Sequence, residues 1–61
     1  MMTPAEQLLS FIDENILGTS AEDNIEIDRY PNKTIDITLY NLFSEKVIIS
    51  FNVDGSFMSI T

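Results

Sequence analysis

Glu26, Asp28 and Asp36 are the side chains of this 61-residue chain whose type and spacing come closest to chemistry. Glu26 and Asp28 alternate with Ile25 and Ile27, and Asp36 stands between Ile35 and Ile37. Strands built on those runs would hold the three carboxylates on one face. Three chemistries use such a set. Carboxylate oxygens can hold a hard cation such as calcium or magnesium, but no run of alternating acids leads through a glycine to a closing glutamate here. Paired carboxylates can divide acid and base roles across a cleft, as in glycosidases, at separations of about 5–10 Å. A chain of this length hardly builds a walled cleft, and a flat exposed sheet shifts the pKa of an acid little. Crowded carboxylates can also occupy a basic groove that would otherwise receive the regular negative charge of duplex DNA.

The rest of the composition narrows function by exclusion. Ten carboxylates face three basic side chains, for a net charge of −7, and there is no His, Cys or Trp. Such a surface repels nucleic acid and anionic membrane and attracts basic proteins. The commonest general base, the thiolate nucleophile and the soft metal ligands are all missing. Ser10, Ser44, Ser50 and Ser59 have no histidine to activate them, and no Gly-rich phosphate loop is present. The expectation is a non-enzyme with no cofactor and no resident metal. No apolar run approaches the roughly 20 residues of a membrane helix, and no basic-apolar-small leader opens the chain. A soluble, cytoplasmic protein is expected.

The elements that must position these carboxylates can be read from hydrophobic period. Thr3-Pro4-Ala5-Glu6 has a capping residue, a proline suited to the first helical position and a glutamate placed for a capping box. Ala5, Leu8, Leu9, Ile12 and Ile16 follow at helical spacing, and Gly18 supplies a stop. This predicts a helix over residues 4–17. From Asp23 the period becomes two. Ile25 and Ile27, then Ile35, Ile37 and Leu39, then Val47, Ile49, Phe51 and Val53 mark strands, and residues 56–61 form a last short one. Residues 1–61 therefore read as one α+β domain, a helix packed on a three- to four-stranded antiparallel meander. The predicted core is Leu8, Leu9, Ile12, Ile16, Ile25, Ile27, Ile35, Ile37, Leu39, Val47, Ile49, Phe51 and Ile60. A domain this small buries only about 60% of its unfolded surface. Without disulfides it depends on packing, with a partner or second copy as further support.

Turn chemistry sets the register, and register sets the neighbours. Asp54-Gly55 reads as a two-residue hairpin loop, pairing Val53 with Ser56, Phe51 with Met58 and Ile49 with Ile60, and sending Phe57 to the other face with Ile48. For the first hairpin a two-residue loop would oppose Ile27 and Asp36, mixing core and solvent faces. A three-residue loop, Pro31-Asn32-Lys33, pairs Ile27 with Ile37 and Ile25 with Leu39 instead. That register places Asp28 opposite Asp36 and Glu26 opposite Thr38, with Tyr30 and Tyr40 at the ends of the patch. In the connection between residues 41 and 45, Leu42 and Phe43 either cover the core edge or stay exposed for a partner.

Local rules are broken along this stretch. Like charges across a strand pair are unfavourable. Asp13 and Glu14 fall near the helix C-terminus, where the backbone dipole disfavours anions, and Glu22 and Asp23 follow. Seven of the ten acids lie between positions 13 and 36. One reading is an ordinary solubilising surface. The other makes Glu26, Asp28 and Asp36 the charge of a partner-binding site, with Tyr30 and Tyr40 as contact area and Asp13, Glu14, Glu22 and Asp23 as a second acidic edge. Small size, strong acidity, a helix-plus-sheet body and the Glu26, Asp28, Asp36 set resemble the acidic inhibitors of bacteriophages and mobile elements, including anti-CRISPR and DNA-mimic proteins. That resemblance implies an inhibitor that binds and blocks nucleic-acid-handling machinery through a basic protein, with no direct contact to nucleic acid or membrane. Two alternatives stay open: a small assembly or regulatory subunit, homodimeric through Ile48, Phe57 and Tyr40, or an acidic antitoxin or immunity protein.

Overall fold

Thr3 starts the α-helix as its sequence context predicts. Its hydroxyl accepts the Glu6 N–H at 3.2 Å, and the Glu6 carboxylate accepts the Thr3 N–H at 3.1 Å, the reciprocal bonding of a capping box. In this computed structural model, which describes residues 1–61, helix α1 spans Pro4–Asn15. It stops short of residue 17 because the N–H groups of Ile16 and Leu17 both turn to the Ile12 carbonyl. The Thr19 hydroxyl then donates to the Ile16 carbonyl at 2.6 Å, and Gly18 takes a left-handed φ of 84°. A short 3-10 helix, Ser20–Asn24, occupies what the sequence reads as loop.

Four strands follow: β1 Ile25–Arg29, β2 Ile35–Tyr40, β3 Lys46–Phe51 and β4 Phe57–Ile60. They form one antiparallel sheet in the order β1-β2-β3-β4. The molecule is therefore α+β, one helix packed on a four-stranded meander. Ile27 pairs with Ile37, Ile25 with Leu39, Glu26 with Thr38 and Asp28 with Asp36, the register expected of a three-residue first loop.

All three hairpins use the same backbone device. The N–H of Tyr30 donates to the Thr34 carbonyl while the Lys33 N–H returns to the Tyr30 carbonyl. Asn41 does the same with Glu45 and Ser44, and Asn52 with Ser56 and Gly55. The third loop residue is left-handed each time: Lys33 at φ 72°, Ser44 at 63° and Gly55 at 85°. These are three-residue loops recurring every eleven residues. The expected two-residue loop at Asp54-Gly55 is thus corrected. The loop is Val53-Asp54-Gly55, pinned by Asp54 Oδ1, which accepts from the Ser56 N–H at 3.0 Å and the Ser56 hydroxyl at 2.6 Å. Phe51 consequently pairs with Phe57 rather than Met58, and Val53 has no strand partner. Ile48 has Thr61 as its partner on β4, and the place of Phe57 is set by its pairing with Phe51. A register irregularity beside Ser50 and Phe51 then restores the expected Ile49–Ile60 pair.

Gly55 also seats the helix. Its carbonyl accepts the Ala5 N–H at 2.9 Å, satisfying a donor that the helix itself cannot. A Cβ on Gly55 would lie 2.7 Å from Thr3 Cβ, so the loop tolerates no side chain there. Ala5, Ile12, Ile37 and Phe51 are buried, with Leu8, Leu9, Ile16, Ile25, Ile35, Leu39 and Ile49 partly buried against them. Three predicted core residues, Ile27, Val47 and Ile60, are exposed instead. The row Ile27-Ile37-Ile49-Ile60 crosses the whole sheet. A helix about 10–12 Å across cannot roof four strands spaced about 4.8 Å apart, so the row is buried at Ile37 and open at both ends. Val47 sits near the hairpin end remote from the helix N-terminus.

Candidate functional site

Alternation along the strands sorts the carboxylates. Ile37 faces α1, so Asp36, Thr38 and Tyr40 on β2 turn to the opposite face, which no helix covers. Glu26 and Asp28 on β1 and Lys46, Ile48 and Ser50 on β3 share that face through their pairing. The five residues expected at the centre of a binding site are thereby brought together: Glu26, Asp28 and Asp36 with Tyr30 and Tyr40.

Asp28 and Asp36 form a directly opposed pair. Two steps away Tyr30 and Thr34 flank the hairpin loop with a Tyr30 N–H to Thr34 carbonyl bond of 3.0 Å. By alternation Asp28 and Asp36 are therefore a hydrogen-bonded pair, with Cα atoms about 5.5 Å apart. At that distance two unit charges in water repel by about 0.8 kcal/mol. A term of that size is small beside the stability of a typical domain. Part of it is offset locally, since the Tyr30 hydroxyl donates to Asp36 Oδ2 at 3.0 Å. That bond, followed by burial and the charges of Asp36 and Asp28, raises the Tyr30 phenol above its usual 10.0. Tyr40 is raised as well, first by burial, then by the charge and hydrogen bonding of Glu26 and the charge of Asp28. Tyr30 thus stands as a donor to Asp36, and Tyr40 borders the same acids. Thr38, buried although on the uncovered face, is closed in by Glu26 and Ile48 across the strands and by Asp36 and Tyr40 along its own.

The second acidic edge belongs to a different part of the molecule. Asp13 and Glu14 lie in the last turns of α1, with no basic residue in the final turn. Glu22 and Asp23 lie in the first turn of the 3-10 helix, where Glu22 Oε2 accepts the Gly18 N–H at 3.4 Å. Asp13 and Glu14 thus lie on the helix, with the sheet between α1 and the Glu26, Asp28, Asp36 face, and Glu22 and Asp23 lie in the connection from α1 to β1. No group of three or more acids converges in a way that could hold a metal ion.

Two features escaped the sequence reading. Lys46 pairs with Tyr40 and puts a cation at the corner of the same face, a placement that its alternation with Ile48 and Ser50 would have given. Beside it, Leu39, Tyr40, Asn41, Glu45, Lys46 and Val47 line an open depression of about 520 Å³. At the tip of that hairpin Leu42 and Phe43 are 93% and 83% exposed, so of the two readings of these residues it is exposure that holds. No helix is long and apolar enough to cross a membrane. No family model, curated protein or solved structure matches the chain.

Proposed function

We propose that this chain is a non-catalytic acidic binding protein whose uncovered sheet face occludes a basic, nucleic-acid-binding surface of a partner protein. The observation that supports this reading is Asp28 standing opposite Asp36, with Glu26 two residues along, on a face that no other layer covers. Carboxylates two residues apart on one strand are about 6.8 Å apart, so the three form a compact anionic patch. On a molecule of net charge −7 such a patch would speed encounter with a cationic groove. Tyr30 and Tyr40, bordering it, supply rigid amphipathic area of the kind that dominates interface energetics. The resulting activity would be inhibition of a nucleic-acid-handling enzyme in the cytoplasm, in the manner of anti-CRISPR or DNA-mimic proteins.

Affinity capture from host lysate at low salt tests this. Basic nucleic-acid enzymes should be retained and released as ionic strength rises. The combined substitution Asp28→Lys, Asp36→Lys should abolish capture while the far-ultraviolet circular dichroism stays that of the parent. Undiminished capture by the folded double variant would remove the acidic face from the proposal.

A further inference from the structure

We propose that β4 is a self-association edge, along which a second copy of this chain adds its own β4 antiparallel to build one continuous sheet from two meanders. The two outer strands of the sheet differ sharply. β1 carries Glu26, Asp28 and Arg29, and charge is a usual guard of an open edge. Residues 55–61 contain no charged side chain, and Phe57, Met58 and Ile60 on β4 are 52%, 49% and 59% exposed. Ile48 and Thr61 exchange both backbone bonds at 3.0 Å. The next pair, Ile49 and Ile60, is then a wide pair whose β4 member turns its N–H and C=O outward. The irregularity beside Phe51 protects only the start of the strand and leaves Ile60 in regular geometry.

Charge selects the occupant. Two molecules at −7 repel each other over most of their surfaces, and β1 against β1 would bring Glu26 and Asp28 of both copies together. Pairing through β4 joins the uncharged strands and sends both acidic edges to the far sides of the enlarged sheet. The two-fold contact is self-complementary. It also extends the row Ile27-Ile37-Ile49-Ile60 into its copy, covering the Ile60 that α1 leaves open. A core with only four buried apolar residues gains from that cover.

Sedimentation equilibrium and amide hydrogen exchange on the intact chain test the proposal. The average mass should rise with concentration from 6.9 kDa toward twice that value. Added salt should strengthen the association by screening repulsion, the opposite of its effect on capture of a basic partner. Exchange of the Ile60 amide should slow as concentration rises, while the Thr61 amide, already bonded within the monomer, stays protected throughout. Ile60→Pro removes no bond of the monomer and should give a folded protein that stays at monomer mass; Met58→Lys should do the same by charge. A monomer at every concentration and salt level would overturn the proposal. So would a dimer in which the Ile60 amide exchanges at a concentration-independent rate, because that dimer uses another surface.

Discussion

Asp36 carries two opposing relations at once, a repulsion from Asp28 across the strands and a hydrogen bond from Tyr30. The two can be separated by substitution. Asp28→Asn removes only the repulsion, so it should raise stability by roughly 0.2–1 kcal/mol, read as a higher urea midpoint at unchanged slope. An unchanged midpoint would mean that water and salt already screen the pair. Asp36→Asn should lower the Tyr30 ionisation, seen in a spectrophotometric titration, because the leading cause of its rise is gone. The raised phenol also fixes a sign. The folded state binds its proton more tightly than the unfolded state, so this contribution is complete below the usual 10.0 and is lost as pH climbs through the higher folded value. Glu6 and Asp54 run the other way. Hydrogen bonds from Thr3 hold Glu6 below 4.5, and those from Ser56 hold Asp54 below 3.8. Their contributions are present above those values and disappear as pH falls through the lower folded ones.

The hairpins show which elements are written plainly and which are not. Pro31-Asn32-Lys33 could be placed because a wrong register would have put Ile27 against Asp36, and burial forbids that. Asp54-Gly55 misled because the same dipeptide serves a two-residue loop or the last two positions of a three-residue one. The backbone bonds of Asn52 with Ser56 and Gly55 decide between them, supported by those from Ser56 to Asp54 and from Ala5 to Gly55. Residues 41–45 were unreadable because neither Pro nor Gly marks the turn; the Asn41 side chain holds it by accepting from the N–H groups of Phe43 and Glu45. Ser44 there adopts the left-handed conformation that Gly55 takes freely. Ser44→Gly should therefore stabilise the chain by up to about 1 kcal/mol, measured by thermal unfolding. A loss of stability would mean that the flexibility glycine adds to the unfolded chain outweighs the relief.

At the scale of the whole molecule, fold class, strand order and the Asp28–Asp36 pair were legible because period, turn chemistry and burial agree on them. The exposure of Ile27, Val47 and Ile60 was not, since periodicity tells which face a residue takes but not how far one helix reaches across it. Net charge acts at this scale too. With −7 spread over so small a body, stability should rise between low and physiological salt as the screening length contracts from about 30 to about 8 Å. Urea midpoints at the two ionic strengths measure it, and a fall would show local attractions outweighing the general repulsion. Every strand pairs with its neighbour in sequence, so the sheet can form through short loop closures alone. The bond from Ala5 to Gly55 is different, for it ties the two ends of the chain together across about fifty residues of loop. A joint with so long a closure should form after the barrier and break early on the way out. Gly55→Ala crowds Thr3 and strains the left-handed end of the third hairpin loop; it should accordingly quicken unfolding more than it slows refolding, so that the clasp bears more on how long a folded molecule lasts than on how fast it is made.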